Sequence, residues 1–267
     1  MTKTTATKPH RPLQSRLSWL SLILALLLPV WFAIAALGSK FGLWSFRVGL
    51  GTMTREIGVW LLIIVSVLAI ASFLWALIKK PRGQWLVPLL ALAVPVGIFV
   101  MLNAVSGKAE NNPIHDVATN PADPPEFSQR LLDLRGPDAN PVADYGVAQD
   151  KLDGQTLERV NTQLYPAMSP IVTTTAPSDA LPLVQAAMME AGLEDIVSDP
   201  VEGRVEGTDE TFWYGFKDDV VARIRAVEGG GSVIDLRSVS RVGQSDLGKN
   251  AARVEELKLA IEAKLGS

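Results

Sequence analysis

Three stretches without a single charged residue constrain this chain more than anything else in it. They cover residues 17–39, 57–78 and 83–107 and are 23, 22 and 25 residues long, and about 20 apolar residues in a helix suffice to cross a bilayer. Residues 17–37 alone contain twelve Leu, Ile, Val or Phe, worth roughly −4 to −7 kcal/mol of insertion free energy near the bilayer centre. Three transmembrane helices in a membrane domain of residues 1–108 are therefore predicted, with the lipid bilayer as the first partner. A cleaved signal peptide ending near Ala33 and Ala35 is the competing reading of the first stretch. Its apolar core exceeds the ~7–15 residues that such signals use.

Charge divides the chain in the same place. Residues 1–104 hold ten Lys or Arg and one acid, Glu56, whereas the remainder holds fifteen basic and twenty-seven acidic residues. A basic apolar front and an acidic back describe a membrane anchor with a soluble domain. Lys3, Lys8, Arg11 and Arg16 precede the first span, and Lys79, Lys80 and Arg82 fill the turn between the second and third. Lys40, Arg47, Arg55 and Lys108 fall on the opposite side. Seven against four places the N-terminus in the cytoplasm, because basic flanks are retained there. The expected location is the bacterial inner membrane, with a periplasmic C-terminal domain.

The spans contain no ionisable residue, which argues against a pump or an ion-coupled transporter. Pro29, Pro88 and Pro95 read as ordinary membrane-helix prolines rather than broken binding helices. Residues 38–58, with Phe41, Trp44 and Phe46 beside Arg47, suit an interfacial segment or an aromatic belt. The chain has no cysteine, so thiolate catalysis, disulfides and Cys-based metal sites are excluded.

Residues 109–165 are rich in proline and read as an extended connector with short helices near 127–134 and 155–164, the second ended by Tyr165-Pro166. This connector is expected to link or wrap, not to form a core. Residues 166–267 carry the pattern of a folded domain. A β-branched strand at 171–175 leads into a helix with Ser178 as its expected N-cap and Gly192 just past its end. Strands follow at 194–198, 204–208 with an extension through 211–216, 220–227 and 232–242, the last two joined at the Gly229–Gly231 turn. Leu247, Ala251, Val254, Leu257, Ile261 and Leu265 form the stripe of a closing helix. The fold class is membrane-anchored α+β, three transmembrane helices followed by an antiparallel sheet with helices on one face, in the order β-α-β-β-β-β-α.

Strand alternation then assigns faces. Val220, Ala222, Ile224, Ile234, Leu236, Ser238 and Ser240 are expected to face the helices. Arg223, Arg225, Asp235, Arg237 and Arg241 are left together on the outer face, an unexpected basic ladder in an acidic domain.

Two segments, 211–223 (TFWYGFKDDVVAR) and 235–253 (DLRSVSRVGQSDLGKNAAR), resemble the signature of domain-of-unknown-function family 1499, and Ile114-His-Asp116, Pro124-Pro125 and Tyr165-Pro166 resemble its upstream landmarks. The resemblance spans about 112–265. It implies an extracytoplasmic domain following membrane helices and supplies no activity and no cofactor.

For chemistry, Asp218-Asp219 sit on one strand and should point apart, so a shared metal or catalytic site at the pair is disfavoured against a turn cap and an ion pair. His10 and His115 lie on opposite sides of the membrane by the topology above, which excludes a two-histidine metal site within one chain. A triad of His115 with Ser238, Ser240 or Ser245 lacks a nucleophile-elbow motif. The strongest constellation is Arg237-Ser-Val-Ser-Arg241 followed by residues 243–248, which joins strand arginines to the start of a helix, where free N–H groups favour an anion. That anion is either external, with Arg223, Arg237, Arg241, Ser245 and Asn250 as ligand-binding candidates, or the protein's own Asp235, Asp246 or Asp219. Asp246, at the expected N-cap, weighs toward the second.

The acidic domain argues against nucleic acid as a partner. The function expected is an envelope binding or scaffolding module for an anionic lipid, a glycan or an envelope protein, without a cofactor. The alternative is an envelope hydrolase or transferase using Asp218 and Asp219 with the 237–246 motif.

Overall fold

The computed structural model describes residues 13–79 and 85–266. Lys3, Lys8, His10, Arg11, Lys80, Arg82 and Gly83, which entered the reading above, lie outside the described residues. The chain divides into two compact units, Met1–Ala104 and Val105–Ser267.

The first unit is built on helices α1 (Leu13–Lys40), α2 (Val59–Ile78) and α3 (Leu86–Asn111), and α3 continues into the second unit. All three are long and apolar enough to cross a membrane. They meet through small residues, with Ala25, Ala69 and Ala91 fully buried beside Leu28, Leu62 and Val65, as expected where close backbone approach replaces the hydrophobic effect. Part of the 38–58 segment is itself helical. Arg47–Gly58 is π-helical and runs directly into α2. Trp31 Nε1 and Trp44 Nε1 donate to the carbonyls of Met53 and Ala35 at 2.9 and 3.0 Å, so indole N–H groups tie this lead-in to α1. Gly38 is required there, because a Cβ would lie 2.0 Å from the Trp44 ring.

The second unit contains β1 (Asp116–Ala118), α4 (Gln129–Leu134), β2 (Ala148–Gln149), β3 (Gln155–Thr156), α5 (Leu157–Leu164), β4 (Ile171–Thr173), α6 (Pro177–Glu190), β5 (Glu194–Asp199), β6 (Arg204–Glu210), β7 (Lys217–Ala226), β8 (Ser232–Ser240) and α7 (Lys249–Leu265). From β4 onward the order is the β-α-β-β-β-β-α read from the sequence. The main sheet is antiparallel, ordered β1-β8-β7-β6-β5, and β4 shares the free edge of β8 with β1. Val184, Met188, Val254, Leu257 and Ile261 of α6 and α7 close over Val220, Ala222, Ile224, Ile234 and Leu236 in one core, the face that strand alternation selects.

Four local features differ from the sequence reading. Pro177 opens α6, with Ala176 rather than Ser178 as N-cap, because a fixed φ and a missing N–H cost nothing at the first helical position. Residues 211–216 do not extend β6. They close a turn in which Thr211 N–H donates to Phe216 O, Phe216 N–H donates to Thr211 Oγ1, and Gly215 takes φ +66°, a conformation that favours glycine. Gly248, not Asp246, is the N-cap of α7, although the Asp246 carboxylate still accepts the Gly248 and Asn250 amides at 2.8 and 2.7 Å.

The fourth difference concerns the connector, which is part of the core. Ile114, Val117, Ala118, Tyr145, Leu152 and Leu157 form their own cluster with Ala251 of α7, and Phe127 and Leu131 pack on Val221 and Val239. The sheet is thus covered on its second face by the proline-rich segment. Proline limits regular hydrogen bonding, but the short β1 recovers it by pairing with β8.

Candidate functional site

Covering the second face turns the expected basic ladder into a buried ion-pair network. On β8, Asp235, Arg237 and Val239 alternate onto this face, followed by Arg241 just past the end of the strand. On β7, Asp219, Val221, Arg223 and Arg225 oppose them, with Arg237 across from Val221 and Asp235 across from Arg223. Each arginine meets a carboxylate of the protein itself.

Arg237 is only 3% exposed. Its Nε and Nη2 donate to the two oxygens of Asp116 at 2.9 and 2.7 Å, and it also donates to the carbonyls of Pro125 and Ala143. The guanidinium lies 4.9 Å from the Tyr145 ring and 5.7 Å from the Phe127 ring, within cation–π range. Burial alone would lower the pKa of this group, but the charge and hydrogen bonds of Asp116 outweigh it and raise the value. Tyr145 donates to Asp116 at 2.9 Å, and burial followed by the Asp116 charge lifts its phenol well above its ordinary value.

Asp219, fully buried, serves two arginines. Arg241 donates to it through Nε and Nη2, the latter at 2.7 Å, and Arg135 through Nη1 at 2.5 Å; Thr208 Oγ1 adds a bond at 3.0 Å. Arg241 and Arg135 also donate to the carbonyls of Leu134 and Asn140, so the network reaches into the connector. Burial lowers the Arg135 pKa, with Asp219 acting against it.

Arg223 and Arg225 converge on Asp235, whose Oδ2 accepts from both at 2.9 and 2.8 Å. Its Oδ1 is buried and accepts no hydrogen bond from the described residues. On their outer side the same arginines hold Asp123 at 2.9 and 2.8 Å, and the Arg223 hydrogen bond keeps the Asp123 carboxyl below its ordinary pKa. These arginines retain solvent contact, with side chains 19% and 42% exposed. Arg223 borders a solvent-open cleft together with Asp123, Pro124, Glu126, Glu202 and Arg204.

The helix-facing side carries a second network. Asp218 turns away from Asp219 and pairs with Arg253 of α7 at 2.9 Å, and Arg253 also bridges to Asp209. Ser238 donates to Asn250 Oδ1 at 2.6 Å, while Asn250 Nδ2 donates to Ser240 Oγ and His115 O, both at 2.9 Å. Asp246 accepts from Asn112 at 2.7 Å, and Asn112 accepts from Tyr165 at 2.7 Å. Burial raises the Asp246 pKa, and burial followed by the nearby Asp246 charge pushes Tyr165 up to about 12. Ser245 accepts the Leu247 amide.

Of the sequence-level candidates, then, Arg237, Arg241 and Asn250 have their donors engaged within the protein, Ser245 sits in a loop turn, and Arg223 alone of the five lines the cleft. Asp218 and Asp219 occupy opposite sides of the sheet. Asp116, Asp123, Arg135, Thr208 and Arg253 complete these networks without any sequence motif that marks them as partners. Asp116 lies in the segment Ile114-His-Asp-Val-Ala118, whose apolar residues are the local hint that its carboxylate is buried. Among the described residues no group of three or more His, Asp or Glu is placed to hold a metal ion.

The His115 ring makes no triad. Its Nε2 lies 3.4 Å from Lys151 Nζ, and its Nδ1 is buried with no hydrogen-bond partner among the described residues. Burial first, then the Lys151 charge, lowers its pKa from the ordinary 6.5. The folded state therefore keeps the imidazole neutral where the unfolded chain protonates it, so unfolding takes up a proton below about pH 6.5 and stability falls as pH drops. Denaturation at about pH 7 and about pH 5.5 should show this loss, and His115→Gln should flatten it. An identical pH dependence in the variant would remove His115 as its source.

Residues 116–261 match the family described as Protein of unknown function (DUF1499). No curated protein matches the chain. The family match covers more than half of the sequence and runs from Asp116, the carboxylate that holds Arg237, to Ile261 in the core of α7: the chain belongs to the DUF1499 family.

Proposed function

We propose that this protein is a membrane-anchored binding or scaffolding module of the cell envelope, whose C-terminal unit works on the periplasmic side of the bacterial inner membrane. The excess of basic residues on the flanks assigned to the cytoplasm supports that orientation. A reporter active only in the cytoplasm, fused after Ser267, should stay silent.

The observation that carries the binding role is the contrast between Arg237, sealed in the protein, and the Arg223–Arg225 pair, which faces solvent beside the cleft. Asp123 bridges both guanidinium groups from an exposed loop. It marks a position where two arginines already accept a carboxylate, the geometry that recognises carboxylate and phosphate groups. The ligand class is an anionic lipid headgroup or glycan that displaces Asp123, while Asp235 keeps the arginines aligned from below.

Native mass spectrometry of the detergent-extracted chain tests this reading. A retained anionic lipid or glycan is expected. Arg225→Ala should weaken it by about 1.5–3 kcal/mol, the value of a charge-assisted hydrogen bond, and Asp123→Ala should strengthen it. Retention that ignores both substitutions would overturn the cleft as the site, and conversion of the retained molecule would favour an enzyme.

A further inference from the structure

The 211–216 turn carries a second surface. Phe212 and Trp213 are 69% and 53% exposed and meet edge to face at 5.2 Å, above a base in which Tyr214 and Phe216 stack at 5.2 Å. The Thr211–Phe216 hydrogen bonds pin the turn closed, so the two large rings are held outward by a rigid hairpin.

The topology places this turn at a particular end of the sheet. It leads into β7 at Lys217, whose carbonyl accepts the Arg241 amide just past the end of β8. The chain arrives from α3 at the same end. Asn112 bonds Asp246, Ile114 O accepts the Asp246 amide, and His115 O accepts the Ser240 amide before β1 pairs along β8. With strands about 4.8 Å apart, the start of β7, where the aromatic turn ends, lies only about 10 Å across the sheet from the start of β1, the first strand after α3. Leu247, 39% exposed, projects from the 241–248 loop at this end too. The part of α3 that belongs to the second unit is short: Val105–Asn111 is seven residues of helix, about 10 Å long.

We infer that the Phe212–Trp213 turn seats in the lipid interface of the bilayer that holds the chain's own helices. Tryptophan and phenylalanine on a rigid support suit the headgroup region, where an apolar ring is buried and an indole N–H stays hydrated. The soluble part of the chain is strongly acidic, so attachment is apolar and needs no anionic lipid. The inference holds on either side of the membrane and is independent of the ligand cleft.

The absence of cysteine permits a direct test with the full chain. Phe212→Cys and, as a control, Val201→Cys, each labelled with an environment-sensitive fluorophore, are reconstituted into phosphatidylcholine nanodiscs. Val201 is 91% exposed in the turn between β5 and β6, at the far end of the sheet from residue 212. The probe at 212 should emit blue-shifted light and be quenched several-fold more by spin-labelled phosphatidylcholine than the probe at 201. Adding Trp213→Ala should reduce that quenching, and high salt should leave it unchanged. Equal quenching at both sites would overturn the inference. So would burial of the 212 probe that resists lipid quenchers and grows with protein concentration, which would assign the turn to a second copy of the chain.

Discussion

Replacing Arg237 with alanine should lower the unfolding free energy of the C-terminal unit by about 3–5 kcal/mol, the cost of leaving one member of a buried ion pair alone. Asp116 would keep its Tyr145 hydrogen bond but lose both guanidinium bonds in a site with almost no access to water. The carbonyls of Pro125 and Ala143 would lose their donors in the same step, loosening the connector from the sheet. Arg237→Lys should recover only part of the loss, because an ammonium cannot make the bidentate contact or lie flat between Tyr145 and Phe127. Pairing Arg237→Met with Asp116→Leu should cost less than Arg237→Ala alone, since an apolar pair leaves no buried charge. Thermal unfolding of residues 105–267 measures each. An unchanged midpoint for Arg237→Ala would show that the pair does not brace the fold.

Asp219→Asn should produce a loss of similar size, about 3–5 kcal/mol, by the opposite route. Here one carboxylate neutralises two arginines, Arg135 and Arg241, and the amide leaves two cations facing each other in the interior. The substitution keeps the volume and leaves the backbone of β7 undisturbed, so the effect reports charge rather than packing. Thr208→Val removes only the neutral hydrogen bond to the same carboxylate and should cost about 1 kcal/mol. A loss for Asp219→Asn no larger than that of Thr208→Val would show that the arginines find other partners. Because Arg135 belongs to the connector and Arg241 to the end of β8, hydrogen exchange should speed up in both segments of the Asp219→Asn protein and leave α6 unaffected.

These outcomes bear on the function as well. The buried network fixes the connector against the sheet, while Arg223 stands at the rim of the cleft with Asp235 beneath it.

Much of this architecture is written locally along the chain. Uncharged runs of 22 to 25 residues determine the three helices, because a bilayer leaves no other conformation for such segments. Period-two alternation in β7 and β8 assigns Val220, Ala222 and Ile224 to the helices and Arg223, Arg237 and Arg241 to the opposite face, since a strand has no third choice. The Arg237-Ser-Val-Ser-Arg241 motif announces an anion partner, and Asp219, one of the nearby carboxylates, is the partner of Arg241. What covers the second face of the sheet is not local information. Asp116 lies 121 residues from Arg237, and Arg135 lies 84 from Asp219, and no periodicity links them. Proline in the connector speaks against regular structure, yet says nothing about where an irregular segment packs, which depends on the shape and charge of the surface it meets. Only the tertiary structure, by laying that segment over the arginines, decides which carboxylate each of them meets and which of them keep contact with solvent.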